Sequence, residues 1–217
     1  MKTSEQNLSV LAYEKIKHMI LSGELQQGQA ISINAMTETL QISRTPITNA
    51  CQRLEYERLL TILPKQGVVI NTISLEAACG IYELRAAIES HNAKRVLDLL
   101  TEKDVEVLQA SVEKQARYAA EGNCLAFMDE DTFFHRYLLD KSVNYELLSV
   151  INQLYDRAYI IGTKNIHGSR MEQSLDEHRK ILEAIEKKDR QGFADAIEDN
   201  ILSGFRNLTA SQLGIYR

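Results

Sequence analysis

The chain has no tryptophan, two prolines and three cysteines among 217 residues. Each scarcity excludes something. With so few prolines, long stretches can run as unbroken helix. Cys51, Cys79 and Cys124 are widely spaced and odd in number, which argues against a disulfide framework or a thiolate zinc site and suits reduced thiols in a cytosol. No apolar run approaches the ~20 residues of a membrane span, and the start, Met1 to Ser9, is polar without an apolar signal core, so a cytoplasmic protein with no membrane partner is expected. Enzyme signatures are missing too. There is no Gly-rich phosphate loop, no Gly-x-Ser-x-Gly elbow, no His-Glu-x-x-His and no paired Glu-x-x-His of a di-iron bundle, so catalysis is not expected.

A basic balance is also absent, since the net charge is −5. The deficit is unevenly placed. Residues 1–70 carry seven Lys/Arg and six Asp/Glu, about +1, and the acidic excess belongs to the remainder. A weakly basic first part leaves nucleic acid open as a partner, provided that a dimer and well-placed arginines supply the affinity.

What the chain does have is helical periodicity. Leu8, Leu11, Ala12, Ile16, Met19 and Ile20 form one stripe over 8–22, ended by Gly23, with Gly28 marking the next turn. Ser32 suits the N-cap of a short helix carrying Ile33, Met36 and Leu40. Ser43 suits a second N-cap, with Pro46 tolerated in the first turn and Ile47, Ala50, Cys51, Leu54 and Leu59 facing a core. Residues 60–70 alternate around Pro64-Lys65-Gln66-Gly67, which reads as a two-stranded wing. Helix, helix, helix, wing is the order of a winged helix-turn-helix. It places Ser43, Arg44, Thr45, Thr48 and Arg53 on or beside the recognition helix and Lys65, Gln66 and Gly67 at the wing tip. Arg44 offers the two-pronged donor that reads guanine.

Beyond a short link at 71–74 the pattern stays helical, with helices expected near 75–100, 102–121, 124–140, 143–162, 170–188 and 190–212. Thr101 to Asp104 and Ser169 to Glu172 have capping-box spacing. Six antiparallel helices with short loops make a bundle. The fold class is thus mostly α: a winged helix-turn-helix at 1–71 and an all-helical domain at 72–217. Polar residues interrupt the apolar stripes of that bundle: Arg85, Asp131 with His135 one turn on, His178 and Asn200. Each has an ordinary explanation alone, and Asp131 could simply pair with Arg85. Together they describe a polar pocket, because unpaired buried polar groups cost several kcal/mol. One carboxylate and two imidazoles suit Zn, Ni or Mn, and Arg85 can fork onto the carboxylate of an effector.

Residues 8–70 resemble the DNA-binding domain of GntR-type bacterial regulators at Ser43, Arg44, Thr45, Pro46, Ala50, Arg53, Leu54, Glu55, Leu59 and Gly67. They depart from it at Thr48, where an arginine is usual, at Asn49, and at Arg58, where a glycine is common. Residues 75–212 resemble the FCD ligand-binding domain of the FadR subfamily, through Tyr82-Glu83-Leu84-Arg85 with Glu89, Asp131-x-x-Phe134-His135 and Glu177-His178-x-x-Ile181. Six helices rather than seven point to the VanR-like branch. The resemblance implies a metal held by Asp131, His135, His178 and a third histidine, whose place Asn200 takes here. It also implies a homodimeric, effector-responsive regulator on a palindromic operator in double-stranded DNA, a repressor released by a small carboxylate. The alternatives are a bundle that only dimerises and, more remotely, a metal-dependent enzyme.

Overall fold

A computed structural model of the protein describes residues 2–212, and the side chains of residues 6–210. The last five residues of the expected second domain lie outside the described residues. The chain divides into two compact units, Met1–Ser74 and Leu75–Arg217.

The first unit contains α1 (Lys2–Leu21), β1 (Ala30–Ile31), α2 (Ile33–Leu40), α3 (Arg44–Tyr56), β2 (Leu60–Leu63) and β3 (Gly67–Ile70). Ser32 caps α2 by accepting the Ala35 amide at 3.1 Å, as expected of that residue type. Ser43 occupies the N-cap of α3 but makes no side-chain bond there. Ile47, Ala50, Cys51, Leu54 and Leu59 are all buried, together with Ala12 and Ile16 of α1 and Met36 of α2. The expected two-stranded wing is a three-stranded antiparallel sheet in the order β1-β3-β2, with Ala30 opposite Val69 and Leu63 opposite Gly67. The two-residue β1 was not foreseen, because two residues carry no alternation to read. α1 also begins earlier than the apolar stripe suggests, at Lys2 rather than Leu8.

In the wing turn, the Gln66 amide donates to the Leu63 carbonyl at 3.1 Å, with Pro64 first of the central pair and Lys65 second at φ +64°. That is the pattern of a type II turn. Gly67 follows at φ +117°, and a Cβ there would lie 2.4 Å from the Ile31 carbonyl oxygen. Only glycine lets β3 pass so close to β1.

The second unit is a bundle of α4 (Leu75–Val96), α5 (Glu102–Ala120), α6 (Cys124–Asp140), α7 (Tyr145–Asn165), α8 (Gly168–Glu186) and α9 (Arg190–Gln212). α4 is its central member and packs on α6, α7 and α9. It ends at Val96 rather than near 100, and Leu97–Leu99 form a 3-10 turn. The Thr101–Asp104 capping box is present in full. The Ser169–Glu172 box is not: α8 starts at Gly168 with His167 at its N-cap, so Ser169 lies inside the helix. Among the described residues no helix is long and apolar enough to cross a membrane.

Candidate functional site

All six helices of the bundle send a polar side chain to one region of its interior. Asp131 and His135 are one turn apart on α6, and His178 comes from α8. Their ligand atoms lie within 4.8 Å of one another. His178 Nε2 is 3.4 Å from His135 Nε2 and 3.5 Å from Asp131 Oδ1. His135 is 2% exposed and His178 is 0% exposed, so the two rings are shielded from water, while Asp131 is partly exposed.

The far side of each ring defines what the near side offers. His178 Nδ1 is 2.6 Å from Gln115 Oε1 on α5, and an amide oxygen can only accept, so the proton sits on Nδ1 and the Nε2 lone pair points inward. Phe134 stacks on this ring at 4.5 Å between centroids. Burial pushes the His178 imidazole down to about 3, outweighing the favourable field of Asp131, so the ring is neutral at physiological pH. His135 Nδ1 lies 2.9 Å from Glu89 Oε2 on α4, close but without an aligned hydrogen bond, and its Nε2 faces His178. Two imidazole nitrogens and a carboxylate oxygen thus converge, with the Ser174 hydroxyl donating to the same Asp131 oxygen from one side at 3.3 Å. A positive charge among these atoms is favoured, whether a shared proton or a cation, and imidazole nitrogen with carboxylate oxygen suits a divalent transition ion. Outer partners that hold each ring by its second nitrogen are the usual support of such ligands. The residues fit the metal that the sequence implied.

Beside the cluster opens a cavity of about 60 Å³ whose wall includes Tyr82, Arg85, Asp131, His135, Arg170 and Asn200. Arg85 does not pair with Asp131. Its Nε donates to Glu89 Oε1 at 2.8 Å, and its guanidinium lies 4.5 Å from the Tyr155 ring centre. Burial alone raises the Glu89 carboxyl, but Arg85 and His135 outweigh it and hold the group down at about 2. Asn200, 4% exposed, shares the cavity wall and gives its amide nitrogen to Glu177 Oε2 at 2.9 Å. The same Glu177 oxygen accepts from Arg170 at 3.0 Å. Arg85, Asp131, His135, His178 and Asn200 therefore meet at one place. Sequence reasoning missed Gln115, Arg170 and the outer roles of Glu89 and Glu177. Gln115 carried a legible signal, since it continues the buried stripe of Leu108, Ser111 and Val112 on α5.

In the first unit, Asn34, Arg44, Thr48, Lys65, Gln66 and Gly67 line one groove between α2, α3 and the wing. Ser43, Arg44 and Thr45 are exposed at the N-terminal end of α3, and Thr48 is half-buried one turn on. The Arg44 guanidinium donates to Asn34 Oδ1 at 3.1 Å, a pairing across ten residues that nothing in the sequence signalled. Arg53 is not brought to this groove. Nine residues along α3 put it on the opposite side of the helix from Arg44, where its guanidinium lies 3.6 Å from the Tyr13 ring centre and pairs with Glu57 at 3.3 Å.

Comparison with known proteins decides what these two units are. Residues 80–202 match the FCD domain, and residues 8–70 match the bacterial regulatory proteins of the gntR family. The chain belongs to the GntR family of bacterial transcription regulators. It is 27% identical over 203 residues to the HTH-type regulator YdhC of Bacillus subtilis, spanning 90% of this chain and 86% of that protein. The HTH-type transcriptional repressor RspR of Escherichia coli is 25% identical over 203 residues, 92% of this chain and 86% of that one. Among solved structures, McbR/YncC of E. coli shares the fold at a TM-score of 0.83 and 20% identity, covering 94% of this chain and 98% of that chain. Members of this family are DNA-binding regulators and not enzymes.

Proposed function

We propose that this GntR regulator is a repressor whose FCD bundle senses a small carboxylate through a divalent transition metal. The reading rests on one observation above others: the ligand atoms of Asp131, His135 and His178 converge within 4.8 Å of one another at the wall of a cavity that also holds Arg85. Asp131, His135 and His178 hold the ion, and Asn200 offers its amide oxygen as a further, weaker donor. A bound divalent ion supplies a Lewis-acidic positive charge at the cavity wall. Arg85 orients the effector carboxylate with the guanidinium nitrogens that Glu89 leaves uncommitted.

Residues 1–71 read DNA and residues 72–217 sense and dimerise. Two protomers place two copies of α3 on the half-sites of a palindromic operator, with Ser43, Arg44, Thr45 and Thr48 toward the major groove and Lys65, Gln66 and Gly67 toward the backbone. Thr48 in place of the usual arginine sets an operator different from that of its relatives. The repressor assignment follows RspR, which is named a transcriptional repressor, and a cytoplasmic location follows from binding operator DNA. The effector acts only through unequal affinity for DNA-competent and incompetent arrangements. The test is operator retention in a mobility-shift assay on DNA flanking the gene, run with Zn²⁺ and a panel of small carboxylates. Release by a carboxylate in wild type, and not in Arg85→Ala, is expected. If no carboxylate alters either DNA retention or the thermal unfolding midpoint, the bundle only dimerises.

A further inference from the structure

We propose that Glu89 couples the two binding events of the bundle, linking metal at His135 to carboxylate at Arg85. The inference rests on the metal and effector reading above and adds a residue that neither ligand touches. Glu89 is 4% exposed on α4, and its two oxygens are divided between two helices. Oε1 accepts from Arg85 Nε at 2.8 Å, one turn back along α4. Oε2 lies 2.9 Å from His135 Nδ1 on α6. One buried carboxylate therefore serves both the anion-binding arginine and a metal-ligating ring.

Its two partners are held unequally. The Arg85 bond is well formed, whereas His135 Nδ1 is a buried nitrogen with no properly aligned hydrogen-bond partner, despite the short distance. His178 shows the contrast, because its Nδ1 is bonded to a neutral amide, Gln115, at 2.6 Å. Packing beside Glu89 is nearly complete, with a void of only about 10 Å³ lined by Glu89, Asn92, His135 and Leu138, and the Asn92 side-chain oxygen there is also unpaired.

The direction of the coupling follows from sharing one negative charge between two donors. With a cation on Nε2, the His135 ring is polarised and its Nδ1–H becomes the stronger donor. Glu89 is drawn toward His135, the charge of Arg85 is less compensated, and an incoming carboxylate is bound more tightly. In reverse, a carboxylate on Arg85 competes with Glu89 for the guanidinium. Glu89 then aligns on His135 and raises the basicity of its Nε2 toward metal. The two effects are one free energy and must be reciprocal. Glu89 is thus a positioning residue that makes the bundle respond to the two ligands jointly.

The experiment is calorimetric titration of the metal-stripped full chain with Zn²⁺, with and without saturating acetate as the carboxylate probe. Acetate should tighten Zn²⁺ in wild type by about fivefold or more, within the usual range of site-to-site coupling. Glu89→Gln should still bind Zn²⁺, more weakly, but with the ratio of affinities with and without acetate falling toward one. A merely structural role lowers both affinities and leaves that ratio alone. Glu89→Asp keeps the charge but is one methylene too short to serve both partners, so it too should lose the ratio; it carries the test if the glutamine variant does not fold. A wild-type ratio retained in both variants overturns the coupling role alone. Absence of saturable Zn²⁺ binding in wild type overturns the metal reading beneath it as well.

Discussion

Arg58 sits at φ +61° directly after α3, where the Arg58 amide bonds to the Glu55 carbonyl at 2.9 Å and the Leu59 amide to the Leu54 carbonyl at 3.0 Å. This is a Schellman ending, whose left-handed residue is most often glycine. A side chain there costs roughly 1–2 kcal/mol, partly offset by the greater freedom that glycine has when unfolded. Arg58→Gly should therefore stabilise the protein by about 0.5–1 kcal/mol, read as a higher urea midpoint at unchanged slope. The two arginines of α3 make an opposite pair of cases. Arg44→Ala removes an exposed groove residue, and should weaken operator binding by about 1–3 kcal/mol with no change in unfolding temperature. Arg53→Ala removes a cation–π contact and an ion pair inside the unit, and should cost about 1 kcal/mol of stability while leaving the preference among operator sequences intact. The reverse result for either arginine contradicts the placement of the two on opposite faces.

Helix ends show at the next scale what a sequence can and cannot reveal. Asp104 closes the capping box of α5, accepting the Thr101 amide at 2.8 Å, and its other oxygen accepts from Tyr137 at 2.6 Å and meets Lys141. Hydrogen bonds from Lys141, Tyr137 and Thr101 hold its carboxyl far below the ordinary range. A carboxyl depressed in the folded state contributes stability in full above its unfolded value, near 3.9, and loses it as pH falls. Asp104→Asn should cost about 1 kcal/mol at neutral pH, and its deficit against wild type should shrink as pH drops below about 4. An equal deficit at pH 7 and pH 3 contradicts the assignment.

The Thr101 box was legible because its two residues suffice to make it. The Ser169 spacing misled because α8 begins two residues earlier, at a His167 N-cap that makes no side-chain bond. β1 was invisible for a related reason: its two residues pair only with Val68 and Val69, far along the chain. Local pattern shows what local chemistry decides, and pairing across the fold does not leave that trace. The same distinction runs through the candidate site. Arg85, Asp131, His135, His178 and Asn200 broke apolar stripes and could be picked out. The Arg85–Glu89 pair has i,i+4 spacing on α4 and was open to reading, whereas that Glu89 also meets His135 depended on how helices pack, which periodicity does not encode.

At the scale of the whole molecule, two units with different charge carry different tasks. The unit that lines its groove with Arg44 and Lys65 is nearly neutral, so on the proposed reading operator affinity comes from two copies acting together and from a few well-placed donors. The acidic unit puts its exceptional groups inside, where six helices each contribute a polar side chain to one region. No single helix contains that site, so it forms only when the bundle does, and a ligand bound there stabilises the folded chain by mass action.

The central claim is that the acceptors of Asp131, His135 and His178 form a cation site, and calorimetric titration of the metal-stripped full chain with Zn²⁺ tests it most directly. One saturable ion per chain is expected, with affinity reduced at least about tenfold in His178→Gln, a neutral residue of similar volume that lacks the imidazole lone pair. Absence of saturable binding, or equal affinity in wild type and His178→Gln, contradicts it.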